Sequence, residues 1–215
     1  MSSRPRALLD ADVLYSGQIR NLVLQFADQE VISVSWTEAI EREWLRNMEP
    51  RTLDRIRAHT LPLLRKHFPD VLVRDVDQKK TEVGRTDAKD VHVASAAVKI
   101  APCTLVSWNV KHFDAQALQK RDVSVATPDE FLCGLFDANP GLTVDVAKRA
   151  AANLTKSAPT WDAYLEALSN NRLKRLVERL RRYRPGDEDD TNLVSTVTEA
   201  GDVPQSDRTT GRGKK

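Results

Sequence analysis

The sequence lacks long apolar runs and has very little cysteine. No stretch approaches the roughly 18 apolar residues that a membrane span requires, and residues 1–5 lead into the first predicted strand without an apolar signal segment. The two cysteines, Cys103 and Cys133, are far apart in apolar surroundings. We therefore expect a cytoplasmic protein without membrane contact, in which both cysteines are buried, reduced thiols rather than a disulfide or a zinc site.

A strong charge of one sign is also missing. Lys and Arg number 33 and Asp and Glu 31, so the net charge of +2 provides no whole-molecule attraction to nucleic acid or to a membrane surface. The sequence contains no Walker A loop, no G-x-G-x-x-G, no H-E-x-x-H and no G-x-S-x-G motif. Nucleotide-binding, dinucleotide-binding, zinc-protease and esterase functions of those types are therefore excluded.

What the chain does contain is a regular alternation of strand-like and helix-like segments as far as residue 136. Short apolar runs typical of buried strands occur at 7–9, 31–35, 71–73, 104–108 and 123–125. The stretches between them have apolar residues at helical spacing. This alternation predicts an α/β fold with a mostly parallel central sheet.

We predict helix N-caps at Thr37 and Thr127, the latter in a capping box with Glu130, and a helix over 87–100 that begins at Asp87. Pro62 should kink or divide the helical run at 51–67.

Beyond the break at 139–141 the pattern becomes helical only. Helices are predicted near 144–154, 160–168 and 172–183, and the composition after residue 185 is too polar to bury a core. We therefore predict three regions: a main domain at 1–138, a helical appendage at 139–184 and a disordered tail at 185–215.

Oxygen-bearing side chains recur at the ends of predicted strands and on the helices beside them. They are Asp10, Asp12, Glu43, Asp87, Asp90, Asn109 and Asp114. The carboxyl ends of parallel strands share one edge of a sheet, so these side chains could converge. Crowded carboxylates need a cation to balance them, and oxygen ligands favour Mg²⁺ or Mn²⁺, which usually serve phosphate chemistry. The alternative is that these acids cap helices or form a solvated face.

Four short motifs, in their order and spacing, resemble those of PIN-domain nucleases, and most closely those of the VapC-type toxins of toxin–antitoxin systems. They are Leu8–Ser16, Glu43–Asn47, Asp87–Ala94 and Ser107–Phe113. The resemblance covers about residues 6–136. It implies a PIN-like three-layer α/β/α domain that acts as a Mg²⁺- or Mn²⁺-dependent endoribonuclease on RNA. It also implies a cognate antitoxin as partner and a homodimer.

By position in these motifs, the resemblance implies that Asp10, Glu43 and Asp90 are the catalytic residues and the metal ligands. Asp87 matches an additional acid that often precedes the third of them. Their expected role is to hold one or two metal ions that bind the scissile phosphate and lower the pKa of an attacking water.

The last motif departs from the family pattern. Asn109 occupies its polar position, where some members carry Asp, and His112 replaces a frequent Asp. Asp12, which falls where the family commonly has Asn, Ser or Thr, or Asp114 could compensate as a further ligand.

The last predicted helix has one apolar and one basic face. Its basic face could meet RNA phosphates, and a solvated face over ordinary packing is the alternative. The predicted substrate contacts are His112, Arg175 and Arg179.

Two other functions remain open from the sequence. Phosphatases of the haloacid-dehalogenase type also begin with a strand that ends in Asp-x-Asp, but they need a later lysine and an acidic pair, which residues 107–114 supply poorly. A catalytically inactive PIN scaffold used for binding is the other alternative.

Overall fold

The centre of the fold is a sheet of four parallel strands. A computed structural model describes residues 4–78, 81–154 and 158–185. Its strands are β1 (Arg6–Leu9), β2 (Ser33–Ser35), β3 (Cys103–Val106) and β4 (Val123–Ala126). Their order in the sheet is β2-β1-β3-β4. Leu8 of β1 lies opposite Leu105 of β3, and both side chains are fully buried, so the two middle strands form the centre of the core.

Helices flank this sheet and continue beyond it. They are α1 (Ala11–Tyr15), α2 (Gly17–Asp28), α3 (Glu38–Arg46), α4 (Pro50–Arg55), α5 (Leu61–His67), α6 (Val91–Lys99), α7 (Ala115–Gln119), α8 (Pro128–Ala138), α9 (Pro140–Ala152), α10 (Trp161–Asn170) and α11 (Lys174–Arg182). The result is a PIN-like α/β/α fold with additional C-terminal helices, which confirms the predicted fold class. Within the described ranges, no helix has the length and apolar character needed to cross a membrane.

The strand order places a topological switch point at the centre of the sheet. From β1 the chain moves to β2 on one side, and it later returns to β3 on the other side of β1. In open parallel sheets a crevice forms at the carboxyl ends of two strands whose connections diverge in this way. The segments that follow β1 and β3, which begin at Asp10 and Ser107, therefore meet in this crevice.

The predicted strand at 71–73 is wrong as a full strand. It is reduced to one parallel bridge between Trp36 and Leu72, in which the Trp36 N–H donates to Val71 O (3.0 Å) and the Val73 N–H donates to Trp36 O (2.8 Å). The reason is that β2 is short and Thr37 immediately caps α3, so only one residue of this edge is left for pairing.

The start of the helix before β3 also differs from the prediction. The helix was predicted from Asp87, but α6 begins at Val91, and Asp87 and Asp90 lie in a turn closed by a hydrogen bond from Asp90 N–H to Asp87 O (2.8 Å). Asp90 occupies the N-cap position, yet its side chain makes no capping hydrogen bond. The two carboxylates therefore do not share a helix face, and that of Asp90 is not used as a cap.

The predicted division of the helical run at Pro62 takes the form of a π-helical turn. Residues Ile56–Thr60 form this turn between α4 and α5, and the Leu61 N–H donates to Ile56 O. Proline has no N–H to donate and its ring crowds the preceding turn, so a local widening of the helix accommodates it.

The C-terminal helices pack on the rest of the described chain. The predicted capping box of α8 is confirmed: Thr127 Oγ1 accepts from Glu130 N–H (3.2 Å), and Glu130 Oε2 accepts from Thr127 N–H (2.9 Å). Helix α9 packs against α2 and α8, and α11 packs against α8. The described residues up to Arg182 form one compact unit. The division at residue 138 stays a prediction, and the predicted tail lies outside the described residues except for Pro185.

Both cysteines are free and buried, as predicted. Burial is the main cause that raises the pKa of the Cys103 thiol and of the Cys133 thiol to about 11. Both therefore remain protonated at neutral pH and are poor nucleophiles.

Candidate metal centre

Asp10 stands where β1 ends and α1 begins. Its N–H donates to Val106 O of the neighbouring β3 (3.0 Å), which holds its backbone in the sheet. Its Oδ1 accepts from the Ala11 N–H (2.7 Å), so Asp10 does cap α1, while its Oδ2 accepts from Ser107 Oγ (2.8 Å). Capping thus occupies one carboxylate oxygen, and the other points to the crevice between β1 and β3.

Asp12 lies against the segment that follows β3. Its Oδ2 accepts from the Trp108 N–H (2.9 Å) and from Asn109 Nδ2 (3.2 Å), and it also lies 3.2 Å from Ser107 Oγ. Its Oδ1 is buried and has no hydrogen-bond partner within the described part of the chain. An unpaired buried carboxylate oxygen is costly, so this atom marks a place where a cation would be favourable.

The raised pKa values of Asp10 and Asp12 also favour a bound cation at this position. Burial is the largest cause that raises the pKa of Asp12, to about 7, and the charge of Asp10 is the next. Burial also raises the pKa of Asp10, with the charges of Glu43 and Asp90 as smaller causes, while the hydrogen bonds from Ser107 and Ala11 lower it. These acids therefore lie close enough to oppose one another's ionisation.

His112 joins this group through the turn after β3. Its Nδ1 lies 3.2 Å from Asp90 Oδ2 and 3.8 Å from Asp87 Oδ2. The Asp90 oxygen and the His112 nitrogen are buried, and neither has a hydrogen-bond partner among the described residues. One ligand atom from each of Asp87, Asp90 and His112 lies within 4.8 Å of the others, so these three residues could hold a metal ion.

Glu43 reaches the same region from α3. Its Oε2 lies 3.6 Å from Nε2 of His92 on α6, and its side chain is 44% exposed. Glu41, two residues earlier, is instead buried and accepts from Trp36 Nε1 (3.3 Å) and Arg65 Nη2 (2.9 Å). Glu41 therefore ties α3 to its neighbours, while Glu43 remains accessible at the site.

We call Asp10, Asp12, Glu43, Asp87, Asp90 and His112 the acidic site. Within the described ranges, two of its buried carboxylate oxygens and one buried imidazole nitrogen make no hydrogen bond. Such a donor set fits a divalent cation, and with mostly oxygen ligands it suits Mg²⁺ or Mn²⁺. Asn109 connects its two parts, because it donates to Asp12 and its backbone O accepts from the His112 N–H (2.9 Å).

Asp114 is not brought to the acidic site. It caps α7, with Oδ1 accepting from the Ala117 N–H (3.0 Å) and Oδ2 from the Arg85 N–H (2.9 Å). These backbone hydrogen bonds lower the pKa of its carboxyl. Its carboxylate therefore joins the turn at Arg85 to the start of α7.

The two arginines predicted to contact the substrate lie on α11 and have contacts of their own. Arg179 forms a two-pronged ion pair with Asp137 of α8 (2.8 and 3.2 Å). The backbone N–H of Arg175 donates to Asp129 Oδ2 (3.1 Å), and its side chain is exposed. Arg179 thus serves the packing of α11 on α8.

Two residues that contact the acidic site, Ser107 and His92, were not among the predicted site residues. Ser107 lies inside the fourth motif but carried no predicted role, although it bonds Asp10 and accepts from the Asn109 N–H (3.0 Å). His92 carried no predicted role either, although its Nε2 lies 3.6 Å from Glu43 Oε2. The available signal for Ser107 was its position as the first polar residue after a buried strand.

Comparison with known proteins gives one match. Residues 128–182, which are α8 to α11, match the family model of the VapC50 C-terminal domain. No curated protein and no solved structure matches the chain. These C-terminal helices are therefore similar to the C-terminal domain of VapC50.

Proposed function

We propose that the protein is a divalent-metal-dependent endoribonuclease that acts as the toxin of a toxin–antitoxin pair. The observation that carries this proposal is the acidic site at the switch point of a PIN-like sheet. There, Asp12 Oδ1, Asp90 Oδ2 and His112 Nδ1 are buried and have no hydrogen-bond partner among the residues that the structure describes. The VapC50-type match of the C-terminal helices supports the toxin assignment independently of the site.

Asp10, Glu43 and Asp90 are the proposed metal ligands, and Asp87, Asp12 and Asn109 are further candidates. Bound Mg²⁺ or Mn²⁺ would neutralise charge on the scissile phosphate and lower the pKa of a water that attacks it. Ser107 keeps Asp10 in place by its hydrogen bond (2.8 Å). His112 adds an imidazole nitrogen beside Asp90, at the position where the family often has a carboxylate.

The geometry favours this function over a phosphatase with a covalent aspartyl intermediate. In that chemistry an aspartate oxygen must be free to attack phosphorus. Both oxygens of Asp10 accept hydrogen bonds, and the residue is only 6% exposed. A carboxylate held in this way is better suited to bind a cation than to act as a nucleophile.

The proposed partners follow from the toxin assignment. They are an RNA substrate, a cognate antitoxin that would keep the nuclease inactive, and a second copy of the chain in a homodimer.

Cleavage of total cellular RNA by the purified full-length protein tests the proposal. The parent should cut RNA when Mg²⁺ or Mn²⁺ is added and should stop when EDTA removes the metal. Asp90→Asn should lose this activity, whereas Asp145→Asn, a matched change at an exposed position on α9, should retain it. Equal cleavage by the parent and by Asp90→Asn would show that the proposed site is wrong.

A further inference from the structure

An arginine of the C-terminal helices lies beside the acidic site although it is remote from it in sequence. The guanidinium of Arg172 stacks over the ring of Trp108, with its Cζ 4.2 Å from the ring centroid. The backbone N–H of the same Trp108 donates to Asp12 Oδ2 (2.9 Å). Trp108 therefore contacts both Arg172 and a carboxylate of the acidic site.

The loop that carries Arg172 is anchored to the segment that carries Asp10 and Asp12. Ser16, which follows α1, donates from Oγ to Asn171 Oδ1 (2.7 Å). The same Ser16 oxygen accepts from the Ile19 N–H and caps α2 (3.3 Å). This contact fixes the position of residues 171 and 172 relative to the start of the site.

Arg172 has a backbone conformation that favours glycine. Its φ is +70°, and the loop ends α10 with the hydrogen bonds of a Schellman motif, from Arg172 N–H to Ser169 O (2.9 Å) and from Leu173 N–H to Leu168 O (3.1 Å). Glycine adopts this left-handed conformation without steric cost, and a non-glycine residue there requires compensation. An arginine in a position where glycine would fit better indicates a use for its side chain.

The charge of Arg172 is available to a ligand. Its side chain is exposed, and no carboxylate of the described residues pairs with it. Arg179 and Arg182 of α11 differ, because Arg179 pairs with Asp137 and Arg182 with Glu178. Stacking on Trp108 occupies one face of the guanidinium and leaves its N–H groups free, which is the arrangement that binds phosphate oxygens.

From these contacts we infer that Arg172, stacked on Trp108, is a substrate-binding residue that binds an RNA phosphate next to the scissile one. The inference rests on the proposed ribonuclease function and deepens it. It makes the VapC50-like segment a part of the substrate site, with Arg172 as a phosphate contact in place of Arg179, which pairs with Asp137. The acidic site repels RNA on its own, so a cation at its rim would offset that repulsion.

The variant Arg172→Gly distinguishes phosphate binding by the arginine side chain from a purely structural role in the loop after α10. The substitution removes the side chain but suits the backbone, so the thermal unfolding midpoint should equal or exceed that of the parent. Binding of a short, fluorescein-labelled single-stranded RNA of mixed sequence, measured in EDTA to prevent cleavage, should weaken by about tenfold or more. The slope of log affinity against log salt should fall by about 0.7, the value expected for one lost phosphate contact on a single strand.

Two further variants complete the test. Arg172→Lys should keep the salt slope, because it keeps the charge, while its affinity should lie between those of the parent and Arg172→Gly. Arg149→Ala, which removes the same charge from an exposed position on α9, should bind RNA like the parent.

The outcomes distinguish this inference from the proposed function. If the parent cuts and binds RNA but Arg172→Gly binds with unchanged affinity and salt slope, Arg172 has only a structural role and the inference is overturned. The same holds if Arg149→Ala weakens binding as much as Arg172→Gly does, since the effect would then be one of overall charge. If the parent neither binds RNA nor cuts it with Mn²⁺, the proposed function and this inference both fail.

Discussion

The hydroxyl of Ser107, at the end of β3, donates a hydrogen bond to Asp10 Oδ2 at the end of β1 (2.8 Å). This contact spans the switch point of the sheet. It holds a buried carboxylate whose other oxygen caps α1. Because one hydroxyl proton cannot serve two acceptors, Asp12 Oδ2, at 3.2 Å from the same oxygen, depends more on the Trp108 N–H.

Ser107→Ala should therefore weaken the acidic site without unfolding the protein. We expect the affinity for Mn²⁺ and the rate of RNA cleavage to fall by roughly 10- to 100-fold, as is typical when a partner that orients a metal ligand is removed. The free energy of unfolding should fall by about 2 kcal/mol, because a buried charged acceptor loses its donor. Metal titration and urea unfolding measure the two effects.

The control for this variant is Ser124→Ala. Ser124 Oγ lies 3.1 Å from Thr104 Oγ1 in an exposed pair between β3 and β4, so its loss should leave metal affinity unchanged. Equal metal affinities of Ser107→Ala and the parent would contradict the proposed role of Ser107.

Asp12 should make the stability of the metal-free protein depend on pH. Burial is the main cause that raises its pKa in the folded state to about 7, from the ordinary value of 3.8. Between these values the folded protein holds a proton that the unfolded chain has released, so this carboxyl lowers the free energy of unfolding as the pH rises. The contribution of protonated Asp12 to the free energy of unfolding is complete below about pH 4 and is lost by about pH 7.

Asn does not titrate, so Asp12→Asn should gain stability relative to the parent as the pH rises. We expect a gain of about 2 kcal/mol between about pH 5 and pH 8, after a discount for the partial exposure of the carboxyl. Urea unfolding in EDTA at several pH values measures it, with Asp145→Asn as the control. A difference in stability that stays constant with pH would contradict the raised pKa.

A divalent cation should stabilise the parent and should do so less in His112→Ala. A ligand present at about 100 times its dissociation constant adds about 2.7 kcal/mol to the free energy of unfolding. Removing the imidazole beside Asp90 leaves fewer donors, so the increase in thermal midpoint on adding Mn²⁺ should shrink. Thermal unfolding with Mn²⁺ and with EDTA measures this. An unchanged increase in His112→Ala would exclude His112 from the metal site.

Gly84 should be required for the turn that precedes Asp87. It has a φ of +61°, and a Cβ at this position would overlap the side chains of Asp114 and Ala117. Gly84→Ala should therefore lower the free energy of unfolding by about 1–3 kcal/mol. Gly134→Ala, in α8 with open space around the added methyl, should instead raise it by roughly 0.5–1 kcal/mol. Chemical unfolding measures the free energy of unfolding of both variants. Equal changes in the two variants would contradict the proposed requirement for glycine at position 84.

Much of the fold followed from local sequence because its signals are local. The N-caps at Thr37 and Thr127 depend on contacts within a few residues, and both are confirmed. The order of strands and helices followed from hydrophobic periodicity. The strand at 71–73 failed because a strand also needs an available edge, and β2 leaves only Trp36 for pairing.

The sequence predicted only some of the contacts in the candidate site. Asp10 and Asp90 were expected from their motifs, and the structure brings them close enough for the charge of one to act on the other. Asp114 was expected as a possible ligand, but its Oδ1 caps α7 and its Oδ2 accepts from the Arg85 N–H. Whether a carboxylate caps a helix or faces a site depends on backbone torsions that its residue type does not reveal.

The sequence by itself determined the fold class and the segments that carry the acids, because periodicity and motif order act along the chain. Only the tertiary structure decided that Ser107 bonds Asp10, that His112 lies beside Asp90, and that Arg172 stacks on Trp108. These pairs belong to different elements and meet only when the sheet and the C-terminal helices are packed. Their partners are selected by that packing, and no local pattern in the sequence encodes it.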